Sequence, residues 1–172
     1  KDLANSSIGI NNPSLSIQIK CLLKQIELIT SQIKEIELET KSIMDSINSP
    51  ILTVPGIGYT LGAVIISEIG DINRFSHPCK LLAFAGLEPS VIQSGNFNAS
   101  STKISKRGSS SLRYAIMKAA SLIIWNNQTF NSYYTKKINQ GKPHNVVLGH
   151  ISHKLVRIIF KLLKNNEKFE LD

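Results

Sequence analysis

The sequence predicts an all-α fold: a long N-terminal coiled-coil helix, then a compact helical domain containing a helix-hairpin-helix and at most one small β-hairpin. Three observations lead there. Isoleucine and leucine recur at alternating steps of three and four early in the chain, a Pro-Gly-Ile-Gly turn joins two apolar stretches, and no alternation of strand and helix patterns follows. With 42% hydrophobic and 19% charged residues in 172, the composition suits one soluble globular domain with an appendage. It excludes disorder, collagen and a disulfide scaffold. A chain of this length buries roughly 70% of its unfolded surface, so neither metal nor disulfide is needed to hold it. Cys21 and Cys79 are far apart, lack zinc-type spacing and fit a reducing compartment.

Residues 1–13, through Asn11-Asn12-Pro13, are polar and read as a flexible lead-in. Lys1 stands where a Met would and no signal stretch follows, so the chain is expected to begin inside a longer protein. Residues 14–48 carry Ile19, Leu22, Ile26, Ile29, Ile33, Ile36, Thr40, Ile43 and Ile47 on one seam. A period sustained at 3.5 favours a self-associating coiled coil over an amphipathic helix packed on its own domain. Ser46 to Ser67 carries no charge, but Pro50, Pro55 and three glycines interrupt the run, so it is not read as a membrane span.

The domain expected over residues 49–165 opens with Ile51 to Gly58, followed by Leu61, Val64, Ile65 and Ile69 at helical spacing. The turn at Gly56-Ile57-Gly58 allows backbone to approach a phosphate and leaves the next helix's first N–H groups outward. Such a hairpin either contacts nucleic-acid backbone without reading sequence or is kept as packing. Asp71 to Phe75 reads as a loop, and Ser76 as the cap of a short helix through Ala85 that stops at Gly86. A polar stretch from Glu88 to Thr102 follows, of a length that is functional or disordered in compact domains. Three more helices are predicted: one from after Gly108 to about Asn127, one from Gln128 to about Asn139 ending at Gly141, and one from about Asn145 to Leu163. Residues 166–172 read as a tail.

The charge is one-sided. Residues 1–50 and 51–100 each carry net −1, whereas residues 101–172 hold thirteen Lys or Arg against three acids. A basic segment of this kind is the footprint of a polyanion, DNA or RNA.

Several motifs, in order, resemble one family. They are Leu52 to Gly58, Ser67 to Phe75, Leu82 to Ser90, Gln93-Ser94-Gly95, Ile104-Ser105-Lys106-Arg107-Gly108, Leu112-Arg113 and Gly141-Lys142-Pro143-His144. The run, covering about residues 48–164, resembles the C-terminal domain of insertion-sequence transposases of the IS one-ten type, relatives of the Piv DNA invertases. The resemblance implies a DNA recombinase guided by a structured RNA. In the family an N-terminal RuvC-like domain supplies four acidic residues that bind Mg²⁺, so no cofactor is expected in this chain and Mg²⁺ is expected in the missing domain. A coiled coil pairs subunits, which makes a homodimer or higher oligomer the expected state. The partners implied are DNA and a guide RNA, with no membrane, in the cytoplasm of a bacterium or archaeon and at the nucleoid when acting.

The family's serine nucleophile lies in a Ser-Gly motif matched by Ser94-Gly95, and the resemblance implies that Ser94 attacks a DNA phosphodiester to give a covalent phosphoserine. A serine hydroxyl is a weak nucleophile alone and fits a site completed by another domain or subunit. Ser105 competes, although its place before Lys106-Arg107-Gly108 suits backbone capping and phosphate contact. Lys103, Lys106, Arg107 and Arg113 surround a helix start and are expected to hold phosphates near the reacting strand. Lys136, Lys137, Lys142 and His144 are weaker candidates for the same contact. The stretch from Asn96 to Thr102 carries no Lys or Arg where relatives are often basic. His150 and His153 lack a third metal ligand, and Trp125, Tyr133 and Tyr134 are assigned to core or interface packing before base stacking.

The alternative function is a non-catalytic nucleic-acid-binding and dimerisation module, which accounts for the hairpin, the basic segment and the heptads without chemistry. A helix-hairpin-helix glycosylase is excluded because Asp71 follows the hairpin too closely to be its catalytic acid.

Overall fold

The computed structural model describes residues 13–90 and 103–170, with the backbone alone of 93–94 and 97–98. The all-α class holds. The helices among the described residues are α1 (Pro13–Ile47), α2 (Tyr59–Ile69), α3 (Pro78–Phe84), α4 (Ser110–Asn126), α5 (Gln128–Asn139) and α6 (His144–Asn165). A minimal antiparallel hairpin pairs β1 (Gln93–Ser94) with β2 (Phe97–Asn98), within the polar stretch from Glu88 to Thr102. The lead-in expected over residues 1–13 lies outside the described residues, apart from Pro13, which opens α1. No described helix is long and apolar enough to cross a membrane.

Two units divide the chain, Lys1–Glu39 and Thr40–Asp172. The described part of the first is α1 up to Glu39, with its seam open: Ile19, Leu22, Ile26, Ile29, Ile33 and Ile36 are each half exposed or more. Thr40, the seam's polar member, is where the compact unit begins, nine residues before the boundary expected at 48/49. The last turns of α1 belong to that unit because Met44 is buried, close to Gly62 of α2. The carboxylate of Asp45 near the Tyr59 hydroxyl pushes that phenol above its ordinary 10.0, and Lys41 lies 5.6 Å over the same ring.

α4 is the centre of the compact unit and packs on α2, α5 and α6. Leu112, Ala115, Ile116, Ala119, Ala120, Ile123 and Ile124 are all buried, three of them alanines that let neighbouring backbones come close. α6 contributes Val147, Ile151, Leu155, Val156, Ile159 and Leu162 to the same core and leaves its basic residues outside. The core forms because each helix brings an apolar stripe and none can bury it alone.

Several local expectations need correction. The element before the Gly-Ile-Gly turn is one turn of 3-10 helix, Pro50–Thr53 capped by Ser49, rather than an α-helix. The loop at 71–75 contains another such turn, Ile72–Arg74, because the Asp71 carboxylate accepts from Asn73 N. α3 is capped by His77, whose Nδ1 accepts from Cys79 N at 3.2 Å, and not by Ser76. The expected tail folds back instead: Phe169 N donates to Thr53 Oγ1 at 2.8 Å.

Among the described glycines, Gly108 makes the tightest crossing. A Cβ on Gly108 would overlap the Phe84 carbonyl oxygen and lie 2.6 Å from its carbon and 2.7 Å from Gly86 N. Gly86 itself has φ +63° and faces the Arg107 and Gly108 amides, and only glycine at both positions lets the two strands of backbone touch. Gly108→Ala is therefore expected to lower the unfolding free energy by about 3 kcal/mol or more. Gly58→Ala, whose Cβ meets nothing within 4 Å, should change it by about 1 kcal/mol or less. Urea unfolding of the two variants checks the contrast, and equal losses would remove the crossing as its cause.

Candidate functional site

The crossing builds a two-segment platform. Five successive carbonyls each accept a hydrogen bond: Phe84 from Ser109 N, Ala85 from Arg113 Nη1, Gly86 from Lys106 N, Leu87 from His153 Nε2 and Glu88 from Ser105 N. Beyond them Ser90 donates through both N and Oγ to the Lys103 carbonyl, at 2.7 and 2.8 Å. An isolated bridge between Pro89 and Ile104 completes the pairing. Residues 84–90 and 103–109 thus run antiparallel, and Ser90 and Lys103 are the two fixed roots of the loop that carries Ser94.

Ser94 itself sits in β1, its backbone paired with Phe97. Its side chain lies outside the described residues, as does the whole of Gly95, of Asn96 and of Ala99 to Thr102. The loop's roots are basic. Lys103, Lys106 and Arg107 are exposed, and Lys106 adopts a left-handed φ of +57° so that its N–H can turn back to Gly86. Among the described residues the single ion pair is Lys161 with Glu167, so none of these three cations is neutralised by a described carboxylate.

The remaining predicted residues fall into different roles. Ser105 Oγ accepts from Arg107 N at 3.4 Å, the backbone capping expected of it. Arg113 is half-buried and one arm of its guanidinium is committed to the Ala85 carbonyl, a structural use that its sequence position did not reveal. Gly56, at φ +92°, lies against α4, where an added Cβ would be 2.9 Å from Leu122 Cβ. Ile57 is buried and gives its N–H to Val54. Of the hairpin's three residues, only Gly58 faces open space, at the uncapped start of α2. The turn is first a packing device.

Sequence reasoning missed Glu68 and His153. Ser109 caps α4 by accepting from Leu112 N and donates its hydroxyl to Glu68 Oε2 at 2.8 Å, placing a carboxylate at the positive end of α4. The run of three serines at 109–111 marks a cap, but nothing near Glu68 in sequence points to it. His153 holds α6 to the platform through an N–H aimed at Leu87, so this ring nitrogen carries the proton. His144 and His150 pair with tyrosines instead: Tyr134 OH meets His144 Nδ1 at 2.9 Å, and Tyr133 OH meets His150 Nδ1 at 3.4 Å. Lys154 stands 4.1 Å over the Tyr133 ring, and Lys137 5.8 Å from it. Trp125 is outside the core, 80% exposed. No group of three His, Cys, Asp or Glu among the described residues could hold a metal ion.

Burial and then the positive charges of Lys142, Lys137 and His153 push His150 below its usual 6.5. A histidine that binds protons less readily when folded leaves stability intact above 6.5 and takes it away as the pH falls below that value. In a proton NMR titration the His150 ring should titrate below 6.5, and Lys142→Ala should move the midpoint up. An unmoved midpoint would sever the link to Lys142.

A family model described as transposase, IS116/IS110/IS902 family, matches residues 48–135. The chain is 23% identical over 159 residues to an uncharacterized 43.6 kDa protein of insertion element IS110 from Streptomyces coelicolor, covering 91% of this chain and 39% of that protein. It is 26% identical over 172 residues to the transposase for insertion sequence element IS1111A of Coxiella burnetii, covering 97% and 47%. It is also 28% identical over 123 residues to the pilin gene-inverting protein of Moraxella bovis, covering 71% and 38%. The chain spans between about two fifths and half of the length of these relatives.

Proposed function

The chain belongs to the IS116/IS110/IS902 transposase family, and on that premise we propose that it is the serine-bearing, nucleic-acid-binding part of a DNA transposase. The observation that carries the reading is the platform: the loop holding Ser94 springs from two hydrogen-bonded roots, flanked by the exposed Lys103, Lys106 and Arg107, which pair with no described carboxylate. Phosphate contacts there hold a strand in place without reading its bases.

In the proposed step Ser94 Oγ attacks a phosphorus of the DNA backbone. The Oγ–P bond forms as the bond from phosphorus to the leaving sugar oxygen breaks; the serine proton is lost to a base and the leaving oxygen takes up a proton. The phosphoserine conserves the bond energy until the hydroxyl of another strand attacks it. Mg²⁺ and its four acidic ligands are assigned to a RuvC-like domain outside this chain. A guide RNA, and action in a bacterial or archaeal cytoplasm, belong to the same proposal.

The complete transposase with its element DNA and RNA should give a covalent protein–DNA adduct on a denaturing gel, and Ser94→Ala should abolish it. An adduct that survives the substitution moves the nucleophile elsewhere, and the absence of any adduct from the unaltered protein favours a binding module without chemistry.

The open seam of α1 supports the proposal that copies pair there, since eight apolar seam side chains from Ile19 to Ile47 are about half exposed or more. Sedimentation should give a dimer or larger species, and Ile26→Asp with Ile33→Asp should reduce it to monomer. A monomer at high concentration from the unaltered chain would count against pairing.

A further inference from the structure

α4 is buried on three sides, and the line it leaves toward solvent is Ser111, Tyr114, Lys118, Ser121 and Trp125, at steps of three and four. Tyr114 is 67% and Trp125 80% exposed, and neither ring makes a ring–ring or cation contact with another described side chain. Three turns of helix separate them, about 16 Å along the axis, with the exposed Lys118 between them in the line.

We propose that this face of α4 is a stacking platform for single-stranded DNA, with bases on Tyr114 and Trp125 and backbone phosphate on Lys118. The inference rests on the nucleic-acid reading above but uses a different surface. Charge complementarity selects a polyanion: from Pro89 to Asn166 the sequence contains no Asp or Glu at all. A protein partner would want a continuous apolar stripe, whereas Lys118 and Ser121 interrupt this one. Aromatic rings separated by a cation suit unpaired bases, because every base offers a flat face and every nucleotide a phosphate. A duplex hides those faces. α4 begins directly after the basic root of the Ser94 loop, which places this face on the helix next to the proposed reacting strand.

Trp125 is the one tryptophan of the chain, so its fluorescence reports the platform alone. Titrating the 172-residue chain at low salt with an unlabelled oligothymidylate of about a dozen nucleotides should quench it saturably. A duplex of the same length should bind through Lys106 and Arg107 with little quenching. Against a labelled oligothymidylate, followed by anisotropy, Trp125→Ala and Tyr114→Ala should each weaken binding about tenfold, and Lys118→Ala should flatten the salt dependence. Unchanged emission while the labelled strand binds would overturn the platform. So would a blue shift with protein concentration alone, which assigns the face to contact between copies, or much tighter quenching by oligouridylate, which assigns it to RNA. Loss of duplex binding in Lys106→Ala and Arg107→Ala is read separately, so the earlier reading can stand or fall without this one.

Discussion

The backbone crossing of Gly108 over Phe84 and Gly86 is the contact on which the rest of the compact unit depends. It fixes where α3 ends and where α4 begins, because Ser109 both donates to Phe84 and caps α4. It brings five carbonyls into reach of donors from three places, including the side chains of Arg113 and His153. A buried carbonyl without a donor costs about as much as a lost hydrogen bond, so this strip is satisfied as a set or not at all. The loop carrying Ser94 inherits its position from that strip.

Charge is then organised around the platform. With no carboxylate between Pro89 and Asn166, the cations of the C-terminal part have almost nothing within their own segment to pair with. Surface ion pairs contribute little to stability, so their absence costs the fold little and leaves a positive field available to a polyanion. Glu68 acts only locally: it serves the cap of α4 and leaves Lys106 and Arg107 free of it.

α1 obeys two environments in turn. Up to Glu39 its apolar seam is open, and from Thr40 onward Met44 is drawn into the core against Gly62. A single helix can do this because backbone hydrogen bonds run along it regardless of what its side chains meet.

The order and type of the elements were legible in the sequence because they rest on local signals: the 3.5 and 3.6 periods and the glycines at 86 and 141. The segregation of charge was legible for the same reason, and so was the family, from motifs in fixed order. What the tertiary structure alone decided was which face of each element is covered. The sequence offered Arg113 as a phosphate ligand and assigned Trp125 to core or interface packing; in the structure one arm of Arg113 is committed to the Ala85 carbonyl, and Trp125 lies outside the core. Gly56 proved to be a contact with Leu122 of α4 and His153 a donor to Leu87, pairings separated by 66 residues in each case. Periodicity fixes which residues share a face, but burial depends on what packs against that face, and those neighbours come from distant parts of the chain.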